Sequence, residues 1–421
     1  MYAAAQSYGV QECDARGDAM KLVSWYQPAA DKLLNLFISI GSYNSIMKAK
    51  SIKGNSPEEI QSALQESMSD GFKPTLAVVF VSIKQDRSSI EKIFNNADIV
   101  IFGATTNGEF IDEETTQGAA AILLLDINTQ YFFIRFAELN GKDDRQITAA
   151  LAREALSKFK NPAFLVTGSS LQTDIEEMLA GFTDVIDNIN MMGGMAGDDL
   201  NFTEQFVFTN GKSGSRAVLI LVLDQEKIAL TGRASHGWKA VGTEKIVTKS
   251  EGNRVYTIDD VPALDLCLKY SGLPIDHPKL IFEMVMNFPL QLQQENGDPL
   301  MRPASFINWE DHSLQVSGKL PQGSKIRFSL PPDFDVIEKV IDENRQFKEE
   351  EMQDADALII YNCGGRLLSF GPLIGEEIKG IKNVWNVPLA GMFSHAEIGR
   401  TKNGDVEMHN LTTCWVAIKE K

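Results

Sequence analysis

Residues 75–110 read TLAVVFVSIKQDRSSIEKIFNNADIVIFGATTNGEF. The first eight, Thr75–Ser82, are an apolar, β-rich run of strand length with no polar alternation, so both faces of the strand expect burial. Asp86 can cap a short helix carrying Ile90 and Ile93 on one side. Ile99–Phe102 is a second buried strand. Strand, helix, strand in this order is a βαβ unit and implies a parallel pair. The unit runs out into a glycine-containing turn, Gly103–Phe110, which carries Glu109.

Upstream, Ser56-Pro57-Glu58-Glu59 combines an N-cap serine, a proline in the first turn and a capping-box glutamate. Ile60, Leu64 and Met68 follow at helical spacing, and Gly71 suits the stop. Downstream the same order returns twice. Phe164–Thr167 is a strand, 171–180 a helix with Ile175 and Leu179, and Val185–Met192 a strand entering Gly193-Gly194-Met195-Ala196-Gly197-Asp198. Leu358–Tyr361 is a strand, 371–380 a helix, and Val387–Leu389 a strand entering Gly391. Apolar runs without helices, such as Ala119–Leu125 with Tyr131–Phe136, read as hairpins, so the sheets should be mixed. Residues 333–350 read as an acidic amphipathic helix with a solvated face. The expected fold is α/β, with α+β left open: two related halves with mixed β-sheets flanked by helices. The expected parts are a 1–46 extension, a 47–238 domain and a 239–421 domain.

Composition bounds the function. The 421 residues carry a net charge of -17, from 40 basic and 57 acidic side chains. That balance repels nucleic acid and anionic membranes. The apolar runs are of strand length, far short of the ~20 residues a membrane span needs. Cys13, Cys267, Cys363 and Cys414 are scattered, which suggests neither a zinc site nor a disulfide framework and fits the cytoplasm. The histidines form no metal-binding pair, and no cofactor or metal is expected.

Chemistry is expected in the turns that follow the strands, where open α/β sheets bind ligands. Gly193, Gly194 and Gly197 allow close backbone approach and could expose N–H groups to a carboxylate or phosphate. Glu109, Asp198 and Glu397 could hold an ammonium group. The plainer alternative is that the glycines only make tight turns and the acids cap neighbouring N–H groups. Gly103–Phe110 and Gly391–Ile398 share a spacing: glycine, four residues, a small residue, Glu, an apolar residue. Arg366 offers the fork that suits a carboxylate, with a structural salt bridge as its alternative. His236 and Trp238 end an apolar strand and are candidate ligand contacts, or structural. Cys363 could be a nucleophile, with His236 or His395 as base and the Gly364-Gly365 amides as oxyanion donors.

These pieces resemble the FIST family, which carries an N-terminal and a C-terminal FIST region. The resemblance rests on Gly103–Ile111 (GATTNGEFI), Met192–Asp198 (MGGMAGD), His236-Gly237-Trp238 with Val241-Gly242, and Val247-Thr248. It continues in Pro262-Ala263-Leu264, Cys363-Gly364-Gly365-Arg366, Ala390–Gly399 (AGMFSHAEIG) and His409-Asn410 with Thr412. It runs from about residue 47 to the C-terminus. Ala396 stands where the family usually has glycine, and His395 where it usually has an aromatic. The resemblance implies an intracellular sensory protein of signal transduction that binds a small ligand such as an amino acid. It also implies a separately encoded partner, such as a kinase, cyclase or chemoreceptor. A Cys363-dependent hydrolase or transferase and a protein-interaction scaffold are the alternatives.

Overall fold

A computed structural model describes Met47–Lys421, apart from Ser170, Gln172, Asn296 and Asn403. The expected 1–46 extension lies outside the described residues. The fold is α/β with mixed sheets, as the sequence implies. The βαβ order that recurs three times in the sequence becomes three six-stranded sheets of one topology. In spatial order, the first contains Lys48–Gly54, Ala120–Asp126, Leu76–Ser82, Val100–Thr106, Val207–Thr209 and Lys212–Gly214. The second contains Phe132–Glu138, Ala217–Asp224, Pro162–Gly168, Asn190–Met195, Glu397–Arg400 and Val406–His409. The third contains Ile228–Ser235, Thr413–Glu420, Ala357–Cys363, Leu389–Ser394, Glu109–Ile111 and Glu114–Thr116. In each, the two central strands are parallel and every other pairing is antiparallel.

The last two strands of each sheet come from elsewhere in the chain. The hairpin that leaves Val100–Thr106 pairs on Leu389–Ser394, joining Phe110 to Gly391. The hairpin that leaves Leu389–Ser394 pairs on Asn190–Met195, joining Ile398 to Gly193. The segment that leaves Asn190–Met195 pairs on Val100–Thr106, joining Phe208 to Gly103. The exchange closes on itself, and it places segments far apart in the described chain in common sheets.

Strand alternation explains the layers. One face of all three sheets feeds a single core, with Phe80, Phe102, Leu123, Leu165, Met192, Leu219, Ile359, Met392 and Val416 among its members. The opposite faces are covered by helices. Pro57–Ser67 and Arg87–Asn96 cover the first sheet, Asp144–Lys158 and Ile175–Thr183 the second, and Phe334–Glu350 with Ile374–Trp385 the third. Burial on both faces is why Leu76–Ser82, Pro162–Gly168 and Ala357–Cys363 have no exposed position and no alternating pattern. An eight-stranded antiparallel sheet between residues 240 and 329 has its own core, built on Val247, Val255, Leu264, Leu314, Ile326 and Phe328.

Candidate functional site

Parallel register fixes which strand ends correspond. Val79 pairs Gly103, Val166 pairs Gly193, and Ile360 pairs Gly391. Counting three residues on, Ser82, Ser169 and Cys363 are equivalent, and so are Thr106, Ala196 and Ser394. The next residues, Asn107, Gly197 and His395, form a ring of backbone bonds. Asn107 N donates to Phe393 O (2.8 Å), His395 N to Met195 O (3.0 Å), and Gly197 N to Thr105 O (2.8 Å). The three turns singled out by sequence therefore meet at one place, the carboxyl ends of the parallel strands.

Close approach explains the glycines. A Cβ on Gly193 would lie 1.8 Å from Val166 O, and one on Gly197 2.5 Å from the Asn107 backbone N. A Cβ on Gly194 would meet Tyr361 at 2.7 Å and Ser394 at 3.0 Å. These glycines bring strands and turns together. Gly197 N is already bonded inside the ring.

The acids are buried and internally bonded. Glu109 accepts from Thr106 Oγ1 (2.5 Å) and Ala119 N (3.3 Å). Glu397 repeats the arrangement, accepting from Ser394 Oγ (2.6 Å), Thr412 Oγ1 (2.9 Å) and Thr412 N (3.3 Å). Burial pushes both carboxyls up to about 7, against the pull of these donors. Asp198 accepts from the N–H groups of Phe202 (3.0 Å), Thr203 (2.5 Å) and Glu204 (3.2 Å) and so closes the 198–204 loop on itself. Its carboxylate has the capping role that sequence left as the plainer alternative.

Arg366 is fully buried. Its Nη2 donates to Glu377, and its Nη1 to His236 O (2.7 Å) and Leu411 O (3.2 Å). The fork expected to hold a ligand carboxylate is thus filled by a carboxylate of the chain itself. Glu377 also accepts from Asn362 Nδ2 (3.0 Å) and Thr413 Oγ1 (2.5 Å). Trp238 is buried, with the Arg366 guanidinium 5.2 Å from its ring centre and Phe370 at 5.6 Å. His236 Nδ1 accepts from Trp238 N (2.9 Å), and burial holds the ring near a pKa of about 3, so it stays neutral. His236, Trp238 and Arg366 form one interior network.

Cys363 lies within reach of the Glu397 carboxylate. Burial first, then the charge of Glu397, pushes its thiol well above the usual thiol range. Burial lowers His395, whose ring stacks edge-on to Phe202 at 5.8 Å. The thiol therefore faces an acid, in surroundings that favour its protonated form.

Sequence reading missed three features of this end of the sheets. A cleft of about 570 Å³ opens beside the turns, lined by Thr115, Thr116, Gln117, Leu200, Leu367 and Phe393 among others. Its size suits a small ligand. Asp199 accepts from Ser82 Oγ (2.8 Å) and pairs with Lys84 Nζ (3.1 Å) through one oxygen, while its buried second oxygen has no partner. Asp199, Leu200 and Phe202 all adopt left-handed backbone (φ 57°, 63° and 55°), held by Asn107 Oδ1, which accepts from Asp198 N and Leu200 N at 3.1 Å each. The Asp-Asp pair at 198–199 is the available signal in the sequence.

A FIST N domain matches residues 75–261 and a FIST C domain residues 263–400. The chain belongs to the FIST family. FIST regions are sensory signalling domains that bind small ligands. An uncharacterized protein of Methanocaldococcus jannaschii is 22% identical over 321 residues, covering 69% of this chain and 60% of its own length. The chain thus spans less than two thirds of that relative. Among solved structures, a cyanuric acid hydrolase from A. caulinodans is similar over 45% of this chain and 72% of its own, at 7% identity and a TM-score of 0.28. A chorismatase is similar over 89% and 99%, at 8% identity and a TM-score of 0.32. Likenesses this weak carry no argument about this FIST protein. No helix among the described residues is long and apolar enough to cross a membrane.

Proposed function

We propose that this FIST protein is an intracellular sensor that takes a small metabolite, of about the size of an amino acid, into the cleft beside the ring of turns. It passes the occupancy to a separately encoded signalling partner. The observation that carries this reading is the meeting of three strand-end turns through the Asn107, Gly197 and His395 bonds, next to a cleft walled by Leu200 of one turn and Phe393 of another. A ligand between those two walls would touch the third sheet, through Thr115, Thr116 and Phe393, and the loop that runs from the second sheet to the first, through Leu200. In this reading Glu109, Asp198, Glu397 and the glycines at 193, 194 and 197 shape the mouth. Arg366, His236 and Trp238 hold the wall behind it, and Cys363 is a packing residue.

The test is a thermal-shift screen of free metabolites followed by calorimetric titration. The best hit should bind wild-type protein, and Leu200→Trp, which fills the cleft, should weaken it at least ten-fold with little change in melting temperature. An unchanged affinity in Leu200→Trp would remove the cleft from the mechanism.

A further inference from the structure

The 198–206 segment carries more unsatisfied polar capacity than its fold requires. Gln205 is 1% exposed, and neither its amide nitrogen nor its amide oxygen has a partner. Asp199, at the other end of the segment, has one buried oxygen without a partner. Buried polar groups are nearly always bonded, and each one left open costs on the order of 1–3 kcal/mol. Three open positions fall on this one short segment.

Both residues lie beside Thr106. Asp199 N donates to Thr106 O at 2.8 Å, and its carboxylate meets Ser82, the parallel neighbour of Thr106. Gln205 stands two residues before Val207, which pairs Ala104, two residues before Thr106. Leu200, the residue after Asp199, forms one wall of the cleft. The open positions comprise two acceptors, Asp199 Oδ1 and Gln205 Oε1, and one donor atom with two N–H groups, Gln205 Nε2. Their complement is a group with two N–H donors and one carbonyl acceptor. Lys84 already sits 3.1 Å from the bonded oxygen of Asp199, so the site has its cation and calls for a neutral partner.

We propose that Asp199 and Gln205 form the recognition pair of this FIST protein for an uncharged carboxamide or ureide head group, received beneath Leu200. This rests on the sensory reading above and names the chemistry of its ligand.

The experiment uses amide and acid pairs as probes: glutamine with glutamate, asparagine with aspartate, nicotinamide with nicotinate, together with the ureide allantoin. At least one amide or ureide should bind, and any matched acid should bind at least ten-fold more weakly. Gln205→Met removes both open amide atoms at nearly constant volume. It should leave the ligand-free melting temperature unchanged or raised, yet weaken the amide at least ten-fold. Asp199→Asn should weaken it by a similar factor. Equal binding of amide and acid, an unaltered affinity in Gln205→Met, or binders found only outside the amides and ureides in the wider metabolite screen would overturn the recognition pair while leaving a sensor. A screen without any binder would remove the sensory reading itself, and the pair with it.

Discussion

Thr106 and Ser394 stand at equivalent strand ends, and each gives its hydroxyl to the carboxylate three residues on: Glu109 at 2.5 Å and Glu397 at 2.6 Å. The second acceptor oxygen is bonded from an equivalent direction too, by Ala119 N in one case and Thr412 N in the other, both at 3.3 Å. Ala119 and Thr412 each precede the long antiparallel strand beside the parallel pair. The same small device thus occurs twice, at corresponding corners of two sheets.

The device has a pH signature. A carboxyl whose pKa is higher in the folded state adds stability below its unfolded pKa and loses that contribution as pH rises through its folded pKa. Glu109 and Glu397 move from 4.5 to about 7 on folding. These two carboxyls therefore remove stability between about pH 4.5 and 7, by up to ~3 kcal/mol each, while the buried neutral His236 and His409, held at about 3 and 4, add stability as pH rises toward 6.5. The carboxyl part is read as a difference between wild type and Glu109→Gln with Glu397→Gln in urea titrations at pH 5, 6, 7 and 8. Wild type should lose stability relative to the double variant across that range, and parallel profiles would assign the pH dependence to other groups.

How far the sequence could be read depends on how local each signal is. The capping serine at 56 is seen as expected, its side chain accepting from Glu59 N at 3.3 Å before the helix Pro57–Ser67. The buried run Thr75–Ser82 is the strand Leu76–Ser82, and the acidic helix at 333–350 is Phe334–Glu350. The similar spacing at Gly103–Phe110 and Gly391–Ile398 reflects a real correspondence of strand ends. What could not be read is the exchange of hairpins. Glu109–Ile111 gives no sign that its partner is Ala390–Met392, because a three-residue strand takes its register from the distant surface on which it lands. For the same reason Arg366 looked available. Its partner Glu377 lies on the next helix, and whether that glutamate faces inward depends on packing that local pattern does not record.

Arg366 and Glu377 are both fully buried, so each depends on the other. Removing one partner leaves an unpaired charge in the interior, which costs about 3–5 kcal/mol, whereas replacing both with apolar residues can be neutral. Glu377→Leu and Arg366→Met should each lower stability by that amount, and the double variant should recover most of it. Chemical denaturation of the four proteins provides the cycle. Additive losses would mean that the two side chains act separately, through Asn362 and Thr413 on one side and His236 O on the other.

Asp198 holds its loop through three backbone donors within six residues. Such charge-assisted bonds are worth about 1.5–3 kcal/mol each where they are buried, and they are not additive. Asp198→Ala should cost about 2–4 kcal/mol in global stability. It should also release the amides of Phe202, Thr203 and Glu204 to fast hydrogen exchange, while the amides of Leu76–Ser82 keep their protection relative to the new global stability. If protection at 202–204 persists in Asp198→Ala, the loop is held by Asn107 and the backbone alone.

Cys363 provides the sharpest contrast between what its sequence neighbourhood suggests and what its surroundings allow. Cys-Gly-Gly-Arg reads as a thiol with ready oxyanion donors and a cation. In the fold the cation belongs to Glu377, and the charge that weighs most on the sulfur is that of Glu397. Burial and that carboxylate both favour the thiol over the thiolate, and only the thiolate attacks an alkylating agent. Iodoacetamide at neutral pH should therefore modify Cys363 of the folded protein far more slowly than a free thiol, by at least a hundred-fold, and at the free-thiol rate in denaturant. Glu397→Gln removes the nearby charge and keeps the burial. It should speed labelling only modestly, since burial is the larger of the two causes. Peptide mass spectrometry of timed reactions reads the rate at this cysteine apart from the others. Labelling of the native protein as fast as a free thiol would show a reactive thiolate, and would return the hydrolase or transferase reading to consideration.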